Sequence, residues 1–156
     1  MSVTRENPQG RDASAVTAGM TYRNANRLAT YRSVATHGGV AAADPHRLTL
    51  MLMDGALERI AAAKGNLTNG RIAEKCALIQ RSIDILHELR TSLDFEAGGE
   101  LAANLDSLYD YMVRQLAKAN AGDRVEILDE VMRLLTEIRG AWVMIPPESR
   151  NARRTR

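Results

Sequence analysis

Residues 44–64 read DPHRLTLMLMDGALERIAAAK, and the way this stretch winds decides the fold. Asp44 suits an N-cap and Pro45 the first helical position, where a missing N–H costs nothing, so a helix is expected to start here. At about 100° per residue, Leu48, Met51, Leu52, Gly55, Ala56, Ile60 and Ala63 share one broad face, the face expected to enter a core. Leu50, Met53, Leu57 and Ala61 form a second apolar stripe on another side, and only Arg47, Asp54 and Glu58 make a compact polar strip. A helix that is apolar on two sides needs cover on both. Either both stripes are buried in a larger core, or the second is a binding groove. Leaving Leu50, Met53 and Leu57 in water would forgo about 1.5–3 kcal/mol for each side chain.

The chain has 156 residues, of which 45% are apolar, enough for one folded domain with its own core. No apolar run reaches the ~20 residues that cross a bilayer. The N-terminus lacks the basic-then-apolar order of a signal peptide, so the protein is expected in the cytoplasm. A single cysteine, Cys76, excludes an internal disulfide and a thiolate metal site, and is expected in the core. The formal charge of +2 is tilted by Arg150, Arg153, Arg154 and Arg156. Without this tail the chain is slightly acidic, which argues against a nucleic-acid-binding face.

Residues 1–20 are polar and small, with no apolar period, and are expected to be a disordered extension. Residues 21–43 read as a short mobile cap helix carrying Leu28, Tyr31 and Val34, followed by a linker opened by Gly38-Gly39. After the 44–64 helix, Asn69-Gly70 marks a turn, and a second helix is expected from about Arg71 to Leu93. Its seam is Ile72, Cys76, Ile79, Ile83 and Leu86, widened by Leu78, Ile85 and Leu89. Asp94 to Gly99 reads as the next break. A third helix from about Glu100 to Ala121 presents Leu101, Leu105, Leu108, Met112, Leu116 and Ala119 on one face, with Asn104 and Tyr111 on its border beside Leu108. Gly122 ends it and Asp123 can cap a fourth helix running to about Met144. Leu128, Val131, Leu135, Ile138, Trp142 and Ile145 form the apolar face of that helix. Pro146-Pro147 closes it, and residues 146–156 are expected to be a basic disordered tail. Four amphipathic helices joined by short turns predict an all-α, antiparallel up-down-up-down four-helix bundle over residues 44–145.

The pattern carries no catalytic or metal-binding constellation of the kind helix bundles hold. A di-iron site needs Glu from two helices and Glu-x-x-His from the other two, whereas Asp84 and His87 give one Asp-x-x-His with no second copy. His37 and His46 fall in the linker and the first helical turn. No phosphate-cradling glycine loop, Ser/His/Asp arrangement or Cys/His pair can be read. Neither metal nor cofactor is expected, and no catalytic residue is assigned.

The order DPHRLTLMLMDGAL, then GGELAANLDSLYDYM, then QLAKAN, then a late Trp before Pro, resembles the FliS family of flagellar export chaperones over about Leu28 to Ile145. That resemblance implies an antiparallel four-helix bundle with a mobile N-terminal cap. It also implies a non-enzymatic cytoplasmic activity: binding the C-terminal segment of flagellin, preventing premature polymerisation and presenting it to the type III export apparatus. By the same resemblance Leu28 and Tyr31 match the cap, and Asp54, Gly55 and Ala56 match the family's Asp-Gly-Ala. Met53 stands where the family commonly has Phe or Tyr. The extension before Met20 has no counterpart in the family pattern. Stripe and resemblance together assign a flagellin-binding groove to Leu50, Met53, Asp54, Leu57, Asn104, Leu108 and Tyr111. Export-gate components and a flagellar regulatory protein are further expected partners. The competing class is a small regulatory or scaffolding bundle that binds another protein of the flagellar pathway.

Overall fold

A computed structural model describes residues 44–150. The extension, the cap residues Leu28, Tyr31 and Val34, and residues 151–156 lie outside the described residues. Four long helices, α1 (Pro45–Thr68), α2 (Ile72–Thr91), α3 (Phe95–Gly122) and α4 (Val125–Val143), are followed by one helical turn, α5 (Pro147–Arg150). The connections are two or three residues long, too short for anything but reversal, so successive helices run antiparallel. Helix α1 packs against α2 and α4, and α3 packs against the same two, which closes an all-α four-helix bundle.

Cross-helix bonds fix the register. Arg139 of α4 donates to Asp54 of α1, and Lys64 donates to Asp129 at 2.6 Å. Arg90 of α2 donates to Asp106 at 2.9 Å and to Asp110 at 3.0 Å on α3. Between α3 and α4, Tyr111 and Gln115 both donate to Glu130. Inside, Met53, Ile60, Ile79, Leu86, Leu89, Met112, Leu116, Leu128 and Leu135 are fully buried, with Tyr109 among them.

Several boundaries differ from expectation for identifiable reasons. Helix α1 runs one turn past Lys64 to Thr68. The stretch Asp94 to Gly99, expected as a break, is a helical turn plus a kink. The Asp94 carboxylate accepts from the Ala97 amide at 3.0 Å, and Gly99 then takes φ 51°, ψ −126° before the helix resumes. A side chain at Gly98 would come within 2.7 Å of the Ala102 Cβ, so both glycines are needed for this bend. Asp123 ends α3 rather than capping α4: its backbone is left-handed and its carboxylate is taken by Lys75. The tail expected to be disordered begins with α5, where Arg150 Nε donates to the Ile145 carbonyl at 3.0 Å.

The core also departs from the expected seams. Lys75 and Ser82 are buried on α2, whereas Ile72 is exposed and Cys76 is only half-buried. Lys75 reaches through the interior to donate to the Asn120 carbonyl at 2.9 Å and to Asp123, so its charge sits at the negative end of the α3 dipole. On α1, Met51, expected on the core face, is exposed.

Candidate functional site

The second stripe of α1 is divided: Met53 joins the core, Leu50 and Leu57 are half-buried, and Ala61 is exposed. Asp54 and Lys64 point to α4 through their ion pairs, whereas Gly55 faces Ile85 of α2. Leu50 and Leu57 lie one turn either side of Asp54, so they fall on the flank toward α4, where both are half-buried and Leu57 packs against the core. Met53 is fully buried, which corrects its assignment to a groove. The physical reason is that a helix lodged between two neighbours buries well over one face, so two apolar stripes become one wide one. Asp54 is engaged with Arg139, and its pull, first by hydrogen bond and then by charge, holds the guanidinium above its ordinary range.

Met51 on α1 and Ile72 on α2 are exposed singly, whereas on α3 open apolar side chains share a stripe. Leu101, Asn104, Leu108, Tyr111 and Gln115 follow alternating three-four spacing and therefore share one stripe. Tyr111 donates to Glu130 Oε1 at 2.8 Å and Gln115 to Glu130 Oε2 at 3.2 Å, so this stripe faces α4. Asp106 and Asp110, held by Arg90, mark the opposite flank toward α2. The matching stripe on α4 is Glu130, Leu134, Glu137 and Ala141, continued at the same four-three spacing by Met144 just past the helix end. Because the helices are antiparallel and Glu130 lies beside Tyr111 and Gln115, the two stripes run together in opposite order.

Cover fails along this seam. At one end Tyr111, Gln115, Glu130 and Leu134 are half-buried. Toward the other, Leu108 is 38%, Leu101 65% and Met144 80% exposed, with Asn104, Glu137 and Ala141 exposed beside them. Leu101 and Leu108, expected inside the core, thus line an open groove between the N-terminal half of α3 and the C-terminal half of α4. The core instead takes Tyr109, which lies off the apolar face expected from the period; burial pushes its phenol up to about 12. Its signal was present in the spacing Ala102, Tyr109, Met112, Leu116, one step around the helix from the expected face.

Of the sequence-assigned groove residues, the structure brings Asn104, Leu108 and Tyr111 together. Leu50, Asp54 and Leu57 lie on α1 along its flank toward α4, and Met53 is in the core. The groove is polar at its covered end. Bonds from Tyr111 and then Gln115 hold the Glu130 carboxyl below the usual carboxylate range, and the same Tyr111–Glu130 bond raises the phenol. Among the described residues, no group of three or more His, Cys, Asp or Glu side chains is placed to hold a metal ion. His87, of the Asp-x-x-His pair, is exposed, while Asp84 accepts from Gln80 at 3.1 Å. No helix among the described residues is long and apolar enough to cross a membrane.

Compared with known proteins, residues 26–149 match the family described as Flagellar protein FliS. The chain is similar to the flagellar secretion chaperone FliS of Vibrio cholerae serotype O1, 40% identical over 124 residues, covering 80% of this chain and 91% of the relative. It is 46% identical over 112 residues to the flagellar secretion chaperone FliSB of Pseudomonas aeruginosa, covering 72% and 89%. With the flagellar secretion chaperone FliS of Salmonella typhimurium it shares 37% over 126 residues, covering 80% and 93%. In architecture it is similar to a crystal structure of a flagellar chaperone from bacteria, with a TM-score of 0.62 at 14% identity, over 75% of this chain and 94% of that one.

Proposed function

Since this chain belongs to the FliS family of flagellar proteins, we propose that it is a flagellar secretion chaperone whose groove between α3 and α4 binds the C-terminal helical segment of flagellin. Bound there, the segment is withheld from premature polymerisation until it is passed to the flagellar type III export apparatus, and the work is done in the cytoplasm by binding alone. The observation that carries the reading is the open apolar stripe Leu101–Leu108 beside Asn104 and Tyr111, continued across the seam by the exposed Met144.

The physical logic is helix-in-groove recognition. A segment that assembles by helix packing has apolar faces and is disordered alone, and a stable groove of matching length covers those faces reversibly. Leu101, Leu108 and Met144 supply the apolar surface; full burial of an exposed large side chain is worth about 1.5–3 kcal/mol, and Leu108, partly covered already, contributes less than Leu101 or Met144. Met144 adapts to the client's shape because its thioether chain is unbranched. Export-gate components and a flagellar regulatory protein are further partners under this reading.

The test is a titration of the full chain with a flagellin C-terminal segment, followed by circular dichroism. Saturable binding, with helicity above the sum of the free components, is expected. Absence of binding, or binding that Leu108→Glu leaves unchanged, overturns the assignment of the client to this groove.

A further inference from the structure

The groove carries a charge pattern that its apolar stripe does not require. Glu130 and Glu137 stand seven residues apart on the α4 stripe that faces α3, about 10 Å along the helix. The α3 stripe opposite them, Leu101, Asn104, Leu108, Tyr111 and Gln115, contains no cation. None of the ion pairs among the described residues includes either glutamate. The guanidinium of Arg133, one turn along α4, acts on Glu130 only at a distance.

Glu130 is also held in place. One of its oxygens accepts from the Tyr111 hydroxyl and the other from the Gln115 amide, which fixes the carboxylate plane and favours its ionised form. Each carboxylate oxygen can accept a second hydrogen bond, so a positioned acceptor remains on offer. Glu137 lies two turns on, in the exposed part of the groove. An anionic acceptor beside an uncovered apolar stripe is complementary to a cationic group beside an apolar stripe.

From this arrangement we propose that Glu130 and Glu137 are specificity-determining residues. They select, among amphipathic helices, a client segment that carries Lys or Arg at matching spacing along the edge of its apolar face. The proposal rests on the groove reading above and adds the chemistry of the client. The leucines supply affinity without choice, since any apolar helix satisfies them. The glutamates penalise a client that would bring a carboxylate, or an uncharged group that cannot donate, against them.

The experiment uses the full chain and three synthetic peptides of about 18 residues, alike in their apolar stripe and differing only at two flanking positions seven apart, which hold Lys, Gln or Glu. The Lys peptide is expected to bind about fivefold more tightly than the Gln peptide, and the Glu peptide more weakly still. The Lys advantage should shrink as salt is raised. It should vanish in the E130Q/E137Q double variant and reverse toward the Glu peptide in E130K/E137K. Because Glu130 supports Tyr111, each variant's circular dichroism melt is recorded, and E137Q, at an exposed position, is read separately. Equal binding of the Lys and Gln peptides, or a Lys advantage that survives in both E137Q and the double variant, overturns the proposal. A flagellin segment that binds while the peptides show no charge preference overturns this inference and leaves the proposed function standing. Charge-selective peptide binding with no binding of flagellin does the reverse.

Discussion

His46 and Trp142, 96 residues apart in the chain, hold each other by their main chains. The His46 Nε2–H donates to the Trp142 carbonyl at 2.6 Å, and the Trp142 indole N–H donates to the His46 carbonyl at 3.2 Å. Their rings stack with centroids 5.7 Å apart and planes 13° from parallel. Since a carbonyl only accepts, the contact selects the imidazole tautomer protonated at Nε2. The first turn of α1 and the last turn of α4 are thereby clasped at the end of the bundle where the α3–α4 groove opens. His46→Ala is expected to lower stability by about 1–3 kcal/mol through loss of the bond and the stack. Trp142 fluorescence should shift to the red as the indole gains water. A urea melt and an emission spectrum of the variant check both, and an unchanged spectrum would mean that α4 holds Trp142 without the clasp.

Lys75 closes the opposite end. Its ammonium is buried and bonded to the last turn of α3 and to Asp123. Lys75→Met keeps most of the volume and removes the charge, and should cost about 1–2 kcal/mol. Lys75→Ala adds a cavity and should cost about 3–4 kcal/mol. The order of the two midpoints in urea is the test: equal loss would assign the whole effect to the ionic contact.

Core and groove should separate under the same substitution. Met53→Glu places a carboxylate among fully buried side chains and is expected to unfold the bundle. Leu108→Glu, at a position 38% exposed, should cost only about 1 kcal/mol of stability while abolishing client binding. Leu57→Glu, on the flank toward α4, should fall between them in stability. Melts and peptide titrations of the three variants read this directly, and a Leu108→Glu protein that melts like Met53→Glu would place Leu108 in the core.

Glu130 and Tyr109 each contribute to the pH dependence of stability. The Glu130 carboxyl is held low by Tyr111 and Gln115, so its contribution is present above the unfolded carboxylate range near pH 4.3 and is lost as pH falls through the folded value. Tyr111→Phe removes the largest cause, and the acid loss of stability should become shallower. Tyr109 behaves in the opposite sense. Its phenol is raised to about 12 by burial, so stability is full below the unfolded value near pH 10 and falls as pH climbs toward 12. Tyr109→Phe should flatten that alkaline fall in urea melts taken between about pH 9 and 12.

The bend in α3 should resist substitution. Gly99 has φ 51° and ψ −126°, a region closed to side chains, and Gly99→Ala is expected to cost at least about 1–2 kcal/mol. The loss should appear in the thermal midpoint, and a neutral result would show that α3 can straighten there.

Helix count, order and antiparallel arrangement were legible in the sequence because they depend on local signals. The 3.6-residue apolar period marks each helix, Pro45 starts the first, Asn69-Gly70 and Gly122 end two of them, and connections this short leave one direction of return. The family was legible too, through the blocks at residues 44–57 and 98–112. The angular assignment within each helix was decided only by tertiary structure. Periodicity says that a face is apolar and not how wide its neighbours will cover it. Met53 is therefore core because α1 sits between two helices, while Met51, one stripe over, is exposed. For the same reason Leu101 and Leu108 left the expected core when cover between α3 and α4 ran out, and Tyr109 took the interior place. The buried ammonium of Lys75 and the clasp of His46 with Trp142 had no signal in spacing at all, because both join residues distant in the chain that meet only when the four helices close.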